Sequence, residues 1–421
     1  MIRAMQDAHI LFESLPPTHR SLRVAMVSET YPPEINGVAT TVAQMIEALR
    51  ARDHEVQLIR PRGIEAMHGG HPSTSTPKPV PAQTLAIARY SALKSGLPAK
   101  QALLRLWSLN RPDIAHIVTA GPLGWSALAV AHKLRIPSCS DFHHDTHSFS
   151  PQYGVGWLRK PIAGYLRRFH NKAHCTLVPT QALRDELTNE GYLNLRVVRR
   201  GVDTRLFNPA RRSRTLRKRW GVADGQLVAL YVGRLVTEKN LPVLIQAYTA
   251  MRAAVPGLRL VVVGDGPERH ALQAQEPGIL FAGTQTGAAL AEHYASADIF
   301  LFPGTRETFG NVVIEAMASG LAVVAHKHAA AAAHIVHTAR NENGVLAPLN
   351  NSREFVNLAV RLACDPQRVT ALGRAAHLSM ELLDWRHTGA DLETALREII
   401  AAQHRPEVID DCLTIHADPK H

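Results

Sequence analysis

Cysteine is scarce in this chain, and its spacing follows no metal or disulfide pattern. The 421 residues include four cysteines, Cys139, Cys175, Cys364 and Cys412, and no two of them form a CxxC pair. Closely spaced cysteines are the usual sign of a disulfide framework or a zinc knuckle. Both are therefore unexpected, and a reducing cytoplasm is the compartment that fits best.

Long uninterrupted apolar runs are also lacking. The N-terminal segment MIRAMQDAHILFESLPPTH has neither the apolar stretch nor the cleavage site of a signal peptide, so residues 1–20 are interpreted as an extension. The most apolar long window, HIVTAGPLGWSALAVAHKL, is interrupted by Gly121, Pro122 and Gly124. Such breaks are expected of a strand, a turn and a helix, so no transmembrane span is predicted.

The charge is strongly positive. The net charge is +11, while 46% apolar and 20% charged residues are typical of a globular protein. An excess of positive charge attracts phosphate groups, which nucleic acid, an anionic lipid surface and a small phosphorylated substrate all carry. The sign of the charge alone does not distinguish these three partners.

Apolar runs alternate with helical patterns in two successive series. The first contains LRVAMV, VQLIRP, PDIAHIV and IPSCSDFH, and the second contains LVALYVGRL, LRLVVVGDG, ILFAG, ADIFLFPG and LAVVAH. Strands separated by helices predict parallel sheets with right-handed crossovers. The intervening segment RGVDTRLFNP places a domain boundary near Thr204.

The predicted organisation is α/β, with two Rossmann-like domains. It comprises the extension at 1–20, a first domain at 21–204 and a second domain at 205–385. Residues 386–421 would form a C-terminal helix that packs back onto the first domain, followed by a tail.

The segment ADIFLFPGTRETFGNVVIEAMASG predicts a ligand site in the second domain. A strand ends at Phe302, and a helix runs from about Asn311 until Gly320 stops it. Ligands of open parallel sheets bind beyond the carboxyl ends of the strands, where the free amides of a helix N-terminus favour phosphate. We expect Phe309, Gly310 and Asn311 to supply those amides.

Two carboxylates and two cations accompany this turn. Glu307 lies in the loop and Glu315 on the helix, and carboxylates there can accept hydrogen bonds from sugar or ribose hydroxyls. Arg234 and Lys239 follow another strand end, in VGRLVTEKN. Because the chain has no DxD metal motif, fixed cations and amides would have to stabilise a departing diphosphate. The alternative is that all four are ordinary solvated charges.

These segments resemble the retaining glycosyltransferases of family 4, which have the GT-B fold. The resemblance rests on VGRLVTEKN, VVVGDGPE, ETFGNVVIE and RGVDTRLFNP, and it extends from about Leu22 to the last helix. The segments SETYPPEINGVATTV and FHHDTHSFSPQYG look like the subgroup of mannosyl- and glycolipid-forming enzymes that includes GDP-mannose-dependent α-mannosyltransferases. The resemblance implies parallel sheets that face a central cleft. It also implies transfer of a hexosyl group, with mannosyl favoured over UDP-linked sugars, to a lipid or glycan acceptor.

The resemblance further implies roles for the site residues. Arg234 and Lys239 would bind the donor diphosphate, Glu307 would meet the donor sugar, and Glu315 would hold the ribose. Thr284 would contact the base through its backbone, beside Gly283, and Gly37 would let backbone approach the phosphates or the acceptor. No cofactor or metal is expected, because the nucleotide sugar is a substrate.

A histidine cluster lies in the first half, where SDFHHDTHSF contains His143, His144, Asp145 and His147. Such density suits a metal site, so a metal-dependent hydrolase that uses these three histidines is one alternative function. The segment, however, predicts a strand end that enters a loop. The resemblance implies instead that His143 helps to position the donor sugar, while the acceptor attacks the face from which the diphosphate leaves. His144 stands where the family usually has threonine.

Two basic segments remain. Trp157–Lys172 predicts an amphipathic helix that carries Arg159, Lys160, Arg167 and Arg168 and can lie on an anionic membrane, or else pack on its own sheet with a solvated basic face. RRSRTLRKRW is basic without aromatic residues. No zinc finger, RNA-recognition signature or helix-turn-helix supports the other alternative, a nucleic-acid-binding protein, so no nucleic acid partner is expected. The sequence predicts a cytoplasmic enzyme that is peripheral on the inner face of the plasma membrane.

Overall fold

The computed structural model describes residues 20–34, 36–61, 97–143, 159–338 and 341–403. The predicted extension, apart from Arg20, and the tail beyond residue 403 lie outside these ranges. His144, Asp145 and His147 of the histidine cluster also lie outside them.

The first half of the described chain forms a parallel sheet. Its strands are β1 (Arg23–Val27), β2 (Glu55–Ile59), β3 (Ile114–Ile117), β4 (Ser138–Asp141), β5 (Cys175–Val178) and β6 (Leu195–Val197). They lie side by side in the order β2-β1-β3-β4-β5-β6. Its helices are α1 (Gly37–Arg50), α2 (Leu97–Leu109), α3 (Pro122–Lys133), α4 (Arg159–His170) and α5 (Gln181–Asn189).

The second half forms another parallel sheet. Its strands are β7 (Val228–Val232), β8 (Arg259–Val263), β9 (Leu280–Gly283), β10 (Ile299–Phe302), β11 (Ala322–His326) and β14 (Val345–Ala347), in the order β14-β11-β10-β7-β8-β9. Separately, β12 (His337–Thr338) pairs antiparallel with β13 (Asn341–Glu342). The remaining helices are α6 (Arg214–Arg219), α7 (Leu241–Ala254), α8 (Arg269–Gln275), α9 (Gly287–Ser296), α10 (Asn311–Ala318), α11 (Ala329–His334), α12 (Ser352–Ala363), α13 (Pro366–Ser379) and α14 (Trp385–Gln403).

Both faces of the second sheet are covered by helices, which explains why its strands read as continuous apolar runs. Successive side chains of β7 point to opposite faces: Leu230 packs in the cluster that contains Ile314 of α10, and Tyr231 packs in the cluster that contains Leu244 of α7. Each large apolar side chain buried in this way stabilises the fold by about 1.5 to 3 kcal/mol. The α/β architecture with two Rossmann-like sheets is therefore confirmed.

The chain crosses between the two domains twice, and the two crossings run side by side. Val202 forms a parallel bridge with Asp384, and its amide donates to the carbonyl of Leu383 at 2.9 Å. The hydroxyl of Thr204 donates to the carboxylate of Asp384. The domain boundaries near Thr204 and at residue 385 stay predictions.

After the second crossing, α14 packs on α1 of the first domain. Leu396 of α14 and Leu49 of α1 belong to one buried cluster. Glu393, which is 3% exposed, is surrounded by basic groups: it accepts hydrogen bonds from Arg52 and Arg397 and lies 3.3 Å from Nε2 of His54. Burial favours the protonated form of Glu393, but the hydrogen bonds from both arginines lower its pKa to about 2.

We predict that Glu393→Gln lowers the free energy of unfolding by about 3 kcal/mol, because it removes the charge of a buried carboxylate that accepts hydrogen bonds from the partly exposed Arg52 and Arg397. The folded pKa of about 2 lies below the ordinary value of 4.5, so this stabilisation is fully present above pH 4.5 and is lost as the pH falls towards 2. Denaturant unfolding at neutral pH measures the change. Glu398→Gln is the control, because Glu398 pairs with Arg196 on the exposed side of the same helix. Equal midpoints for the two variants would contradict the anchoring role of Glu393.

Candidate active site

The site is built where strands β10 and β7 lie side by side. They pair in parallel, with Ile299 opposite Ala229 and Phe300 opposite Leu230. Their carboxyl ends therefore meet at one edge of the sheet. This register brings the segment after β7, with Arg234 and Lys239, beside the loop that joins β10 to α10.

The glycine-rich loop after β8 holds the segment after β7 in place. Gly264 has φ +133°, and a Cβ at this position would lie 2.0 Å from the carbonyl oxygen of Gly233. Only glycine allows such a close approach in this backbone conformation. The amide of Leu235 donates to the carbonyl of Asp265 at 2.9 Å, and that of Glu268 donates to the carbonyl of Leu235 at 3.1 Å. The segments VGDGPE and VGRL are therefore held together and form one rigid border of the site.

Helix α10 begins at the cleft without a side-chain cap. Its N-cap, Gly310, has φ +86°, a left-handed conformation in which a Cβ would also press on the ring of Phe302 at 3.2 Å. Phe309, Gly310, Asn311 and Val312, at the start of this helix, line the cleft. Uncapped amides at a helix N-terminus attract phosphate oxygens, as the sequence predicts for this turn.

Lys239 and Glu307 form an ion pair on the wall of the second domain. Their side chains are 17% and 15% exposed, so the pair borders the cleft and is largely shielded from bulk water. Nε2 of His328 lies 3.1 Å from the backbone carbonyl oxygen of Glu307 and restrains the loop. Arg234 is more accessible, and its guanidinium pairs with Glu238 at 2.8 Å. The wall thus offers two cations, the amides of a helix N-terminus and one carboxylate.

Glu315 lies just over one turn inside α10, behind the cleft lining. Burial raises its pKa to about 7, although the hydroxyl of Tyr294, which donates to Oε2 at 2.9 Å, partly opposes this. Thr284 follows the edge strand β9 and is exposed. Neither side chain lines the same cleft as Arg234 and Lys239. Contacts of Glu315 with a ribose and of Thr284 with a base remain predictions.

The first domain supplies the opposite wall. His143 follows β4, and its carbonyl accepts a hydrogen bond from the hydroxyl of Thr308 at 3.2 Å. The side-chain amide of Asn311 donates through Nδ2 to the hydroxyl of Thr41 at 3.1 Å, across the interdomain gap. A Cβ on Gly37, the first residue of α1, would lie 3.7 Å from that amide, which is ordinary contact. The fold itself therefore does not require glycine at residue 37, and only a closely bound ligand would.

The two walls enclose a cleft of about 750 Å³. This volume lies in the range of small-molecule and cofactor sites, about 300 to 1,000 Å³. The structure brings together eight of the predicted site residues along it: Gly37, His143, Arg234, Lys239, Glu307, Phe309, Gly310 and Asn311. Among the described residues that line it, Glu307 is the sole carboxylate.

Asp141 and Arg200 are two residues of this wall that the sequence analysis missed. Nη2 of Arg200 lies 2.9 Å from Oδ1 of Asp141, and both side chains are almost completely buried. Burial opposes ionisation of Asp141, but Arg200 and His143 hold its pKa well below the ordinary value. The available signals were weak: Arg200 begins the RGVD junction segment, and Asp141 immediately precedes Phe142 and His143.

The predicted metal alternative concerns the histidine cluster. Within the described ranges, no group of three or more histidine, cysteine, aspartate or glutamate side chains is placed to hold a metal ion. Of the cluster, His143 is described and faces Asp141 and Arg200. The structure thus presents His143 as a wall residue of the interdomain cleft.

Two Rossmann-like domains that face a cleft, with cations and helix amides on the C-terminal wall, define the class of GT-B glycosyltransferases. Comparisons with known proteins agree. Residues 35–206 match the family described as "Glycosyltransferase Family 4", and residues 226–365 match "Glycosyl transferases group 1".

Similar proteins support the same class. A GDP-mannose-dependent alpha-mannosyltransferase of Corynebacterium glutamicum is 31% identical over 388 residues, which cover 92% of this chain and 91% of that protein. The alpha-monoglucosyldiacylglycerol synthase of Acholeplasma laidlawii is 26% identical, over 85% of this chain and 92% of that protein. The structure of sucrose-phosphate synthase from Thermosynechococcus elongatus shares the fold, with a TM-score of 0.69, 20% identity and coverage of 90% and 100%.

The chain belongs to glycosyltransferase family 4 and is a hexosyltransferase that uses a nucleotide sugar. The resemblance predicted from the sequence is therefore confirmed. Neither alternative, a nucleic-acid-binding protein or a metal-dependent hydrolase, is supported by these similarities.

We predict that affinity for a nucleotide sugar falls up to about tenfold between pH 8 and pH 6, because protonation of Glu315 removes an acceptor for ribose hydroxyls. The raised pKa of about 7 places the change in this window. Titration calorimetry with GDP-mannose measures it, since the esterified diphosphate keeps its charge across this range. Glu315→Gln should bind weakly at all pH values. Tyr294→Phe should move the transition to higher pH, because it removes the hydrogen bond that lowers the pKa of Glu315. A wild-type affinity that is independent of pH would remove Glu315 from the site.

Proposed function

We propose that this enzyme transfers a mannosyl group from GDP-mannose to a lipid or glycan acceptor, with retention of anomeric configuration and without a metal ion. The donor is suggested by the relatives named as GDP-mannose-dependent mannosyltransferases. The lipid acceptor is suggested by the relatives named as glucosyldiacylglycerol synthases. The observation that carries the proposal is the convergence of Arg234, Lys239 and the N-terminus of α10 on one wall of the cleft.

This wall suits a diphosphate leaving group. Negative charge builds on the phosphate oxygens as the bond from the anomeric carbon breaks. Lys239 and Arg234 offer fixed positive charge, and the uncapped amides of α10 offer oriented donors. Such preorganised groups can perform the stabilisation that a divalent cation provides in metal-dependent transferases.

Attack of the acceptor from the leaving-group face, rather than a double displacement through Glu307, is supported by the surroundings of Glu307; both routes would give retention. A double displacement requires a carboxylate free to attack the anomeric carbon, whereas Glu307 is held in an ion pair with Lys239. In the proposed reaction the acceptor hydroxyl attacks from the face that the diphosphate leaves. The departing phosphate oxygen takes the hydroxyl proton, so that a glycosidic bond forms as the sugar–phosphate bond breaks. Glu307 and His143 then act by positioning the sugar.

The proposal is tested by a thermal-stabilisation screen of GDP-mannose, GDP-glucose, UDP-glucose, UDP-galactose and UDP-glucuronate, followed by transfer assays with a chelator present. Stabilisation by GDP-mannose, chelator-resistant transfer and an α-linked product by NMR are the expected results. Preferential stabilisation by a UDP-sugar would mean that this sugar, and not GDP-mannose, is the donor. A β-linked product would overturn retention.

We predict that Arg234→Ala and Lys239→Ala each reduce transition-state stabilisation by about 2 to 4 kcal/mol, measured as kcat/KM for the donor. The physical reason is the loss of one cation from the developing diphosphate charge. Arg361→Ala is the matched control, because Arg361 pairs with Glu354 on the outer helix α12. If both cleft variants kept the kcat/KM of the control, the phosphate site would lie elsewhere.

The sequence also predicts that the enzyme is peripheral on the plasma membrane, and helix α4 is the segment on which that prediction depends. Within the described residues, no helix is both long and apolar enough to cross a bilayer. The apolar side chains Leu166 and Phe169 of α4 are buried in the core of the first domain and are not exposed for insertion into lipid. Lys160 and Arg168 of α4, and Lys172 just beyond it, are exposed. We therefore propose electrostatic attachment to anionic lipid rather than an inserted helix.

We predict that the enzyme sediments with vesicles containing phosphatidylglycerol at low salt and is released by high salt, because each surface Lys or Arg contributes about 1 kcal/mol that salt screens. Replacing Lys160, Arg168 and Lys172 with Gln should weaken binding. The charge-matched control replaces the exposed Arg214, Lys218 and Arg219 with Gln. Equal loss in both triple variants would mean that net charge, and not the α4 surface, drives binding.

A further inference from the structure

A buried ion pair lies directly behind His143 in the first-domain wall. Arg200, from the junction between the domains, contacts Oδ1 of Asp141 at 2.9 Å, at the carboxyl end of β4. Asp141 is 1% exposed and Arg200 is 3% exposed. Ion pairs so deeply shielded interact more strongly than surface pairs, because water does not screen them.

The same pair flanks the imidazole of His143. Nε2 of His143 lies 3.2 Å from Oδ2 of Asp141, and Nη2 of Arg200 lies 3.3 Å from that same ring nitrogen. Nε2 of His116 completes the cluster, 3.6 Å from Oδ2 of Asp141. His143 is thus placed between a carboxylate that favours its charged form and a guanidinium that disfavours it.

The two charges therefore act on His143 in opposite directions. Ionised Asp141 alone would draw a proton onto the imidazole, and Arg200 offsets this attraction. A guanidinium stays charged at every accessible pH, so the offset is permanent. Among the described residues that line the cleft with His143 and Arg200, the other charged side chains are those of Arg234, Lys239 and Glu307 on the opposite wall.

We propose that Arg200 and Asp141 are positioning residues that together hold the His143 imidazole neutral and in a fixed place in the cleft wall beside the donor sugar. The inference rests on the proposed function, in which His143 contacts that sugar. A neutral imidazole adds no positive charge beside the anomeric carbon, where positive charge develops as the diphosphate leaves, whereas an imidazolium would repel that charge. Arg200 thereby extends the working range of the enzyme to a lower pH than Asp141 alone would allow.

The test is the pH profile of kcat with saturating GDP-mannose, which separates His143 from effects of Glu315 on donor affinity. Arg200→Gln should move the acid limb to higher pH by about one unit, because Asp141 is then unopposed. Asp141→Asn should move it to lower pH, because Arg200 is then unopposed. Arg200→Lys should restore the wild-type limb. At the optimum, Arg200→Gln should lower kcat about tenfold or more while donor KM changes less than about threefold.

Controls separate this role from folding. Arg199→Gln is the neighbouring control, because Arg199 pairs with the exposed Asp391. The double variant Asp141→Asn with Arg200→Gln removes both buried charges, so it should fold even if Arg200→Gln alone does not. Its acid limb should lie between those of the single variants. Shifts of the same sign, or no shifts, would overturn the inference.

Failure of the proposed function gives a different result. If His143→Ala keeps wild-type kcat, His143 does not contact the donor sugar, and the inference fails with that part of the proposal. If wild-type enzyme is inactive with GDP-mannose and active with a UDP-sugar, the donor assignment fails. The same pH profiles, measured with that UDP-sugar, then decide the role of Arg200 and Asp141.

Discussion

The parallel pairing of β10 with β7 is the constraint on which the rest of the site depends. It places the end of one strand, followed by Arg234 and Lys239, next to the loop that leads from the other strand into α10. A one-residue slip would turn every side chain of β10 to the opposite face of the sheet. The buried side chains of Phe300 and Leu301 oppose such a slip. They pack in different clusters on opposite faces of the sheet, and each would have to move into the cluster of the other.

Three cations at or beside the cleft are each paired with a carboxylate. Lys239 is paired with Glu307, Arg234 with Glu238, and Arg200 with Asp141. The first two pairs border the cleft, where Lys239 and Arg234 can contact an anionic ligand while their carboxylate partners hold them in place. The third is buried and stays fixed, since breaking it would leave an uncompensated charge inside the protein. The cleft thus combines cations that can contact a ligand with a buried pair that acts on His143.

Much of this organisation was predictable from local sequence patterns. Apolar runs such as LVALYVGRL and ADIFLFPG predict buried parallel strands, and Gly310 before NVVIEAMA predicts the helix start at the cleft. The strands β6 and β14 were not predicted, because a run of three residues carries little periodic signal, and the four-residue strand β5 was also missed. The Asp141–Arg200 pair was also missed. Its members are 59 residues apart, and only the folded sheet and the junction segment bring them together.

The most direct test of the central claim is a crystal structure of the enzyme with GDP-mannose. The account predicts that the diphosphate lies within hydrogen-bonding distance of Lys239, Arg234 and the first amides of α10, with the mannose between Glu307 and His143. A donor whose diphosphate binds to the first domain, or that lies away from the N-terminus of α10, would contradict it.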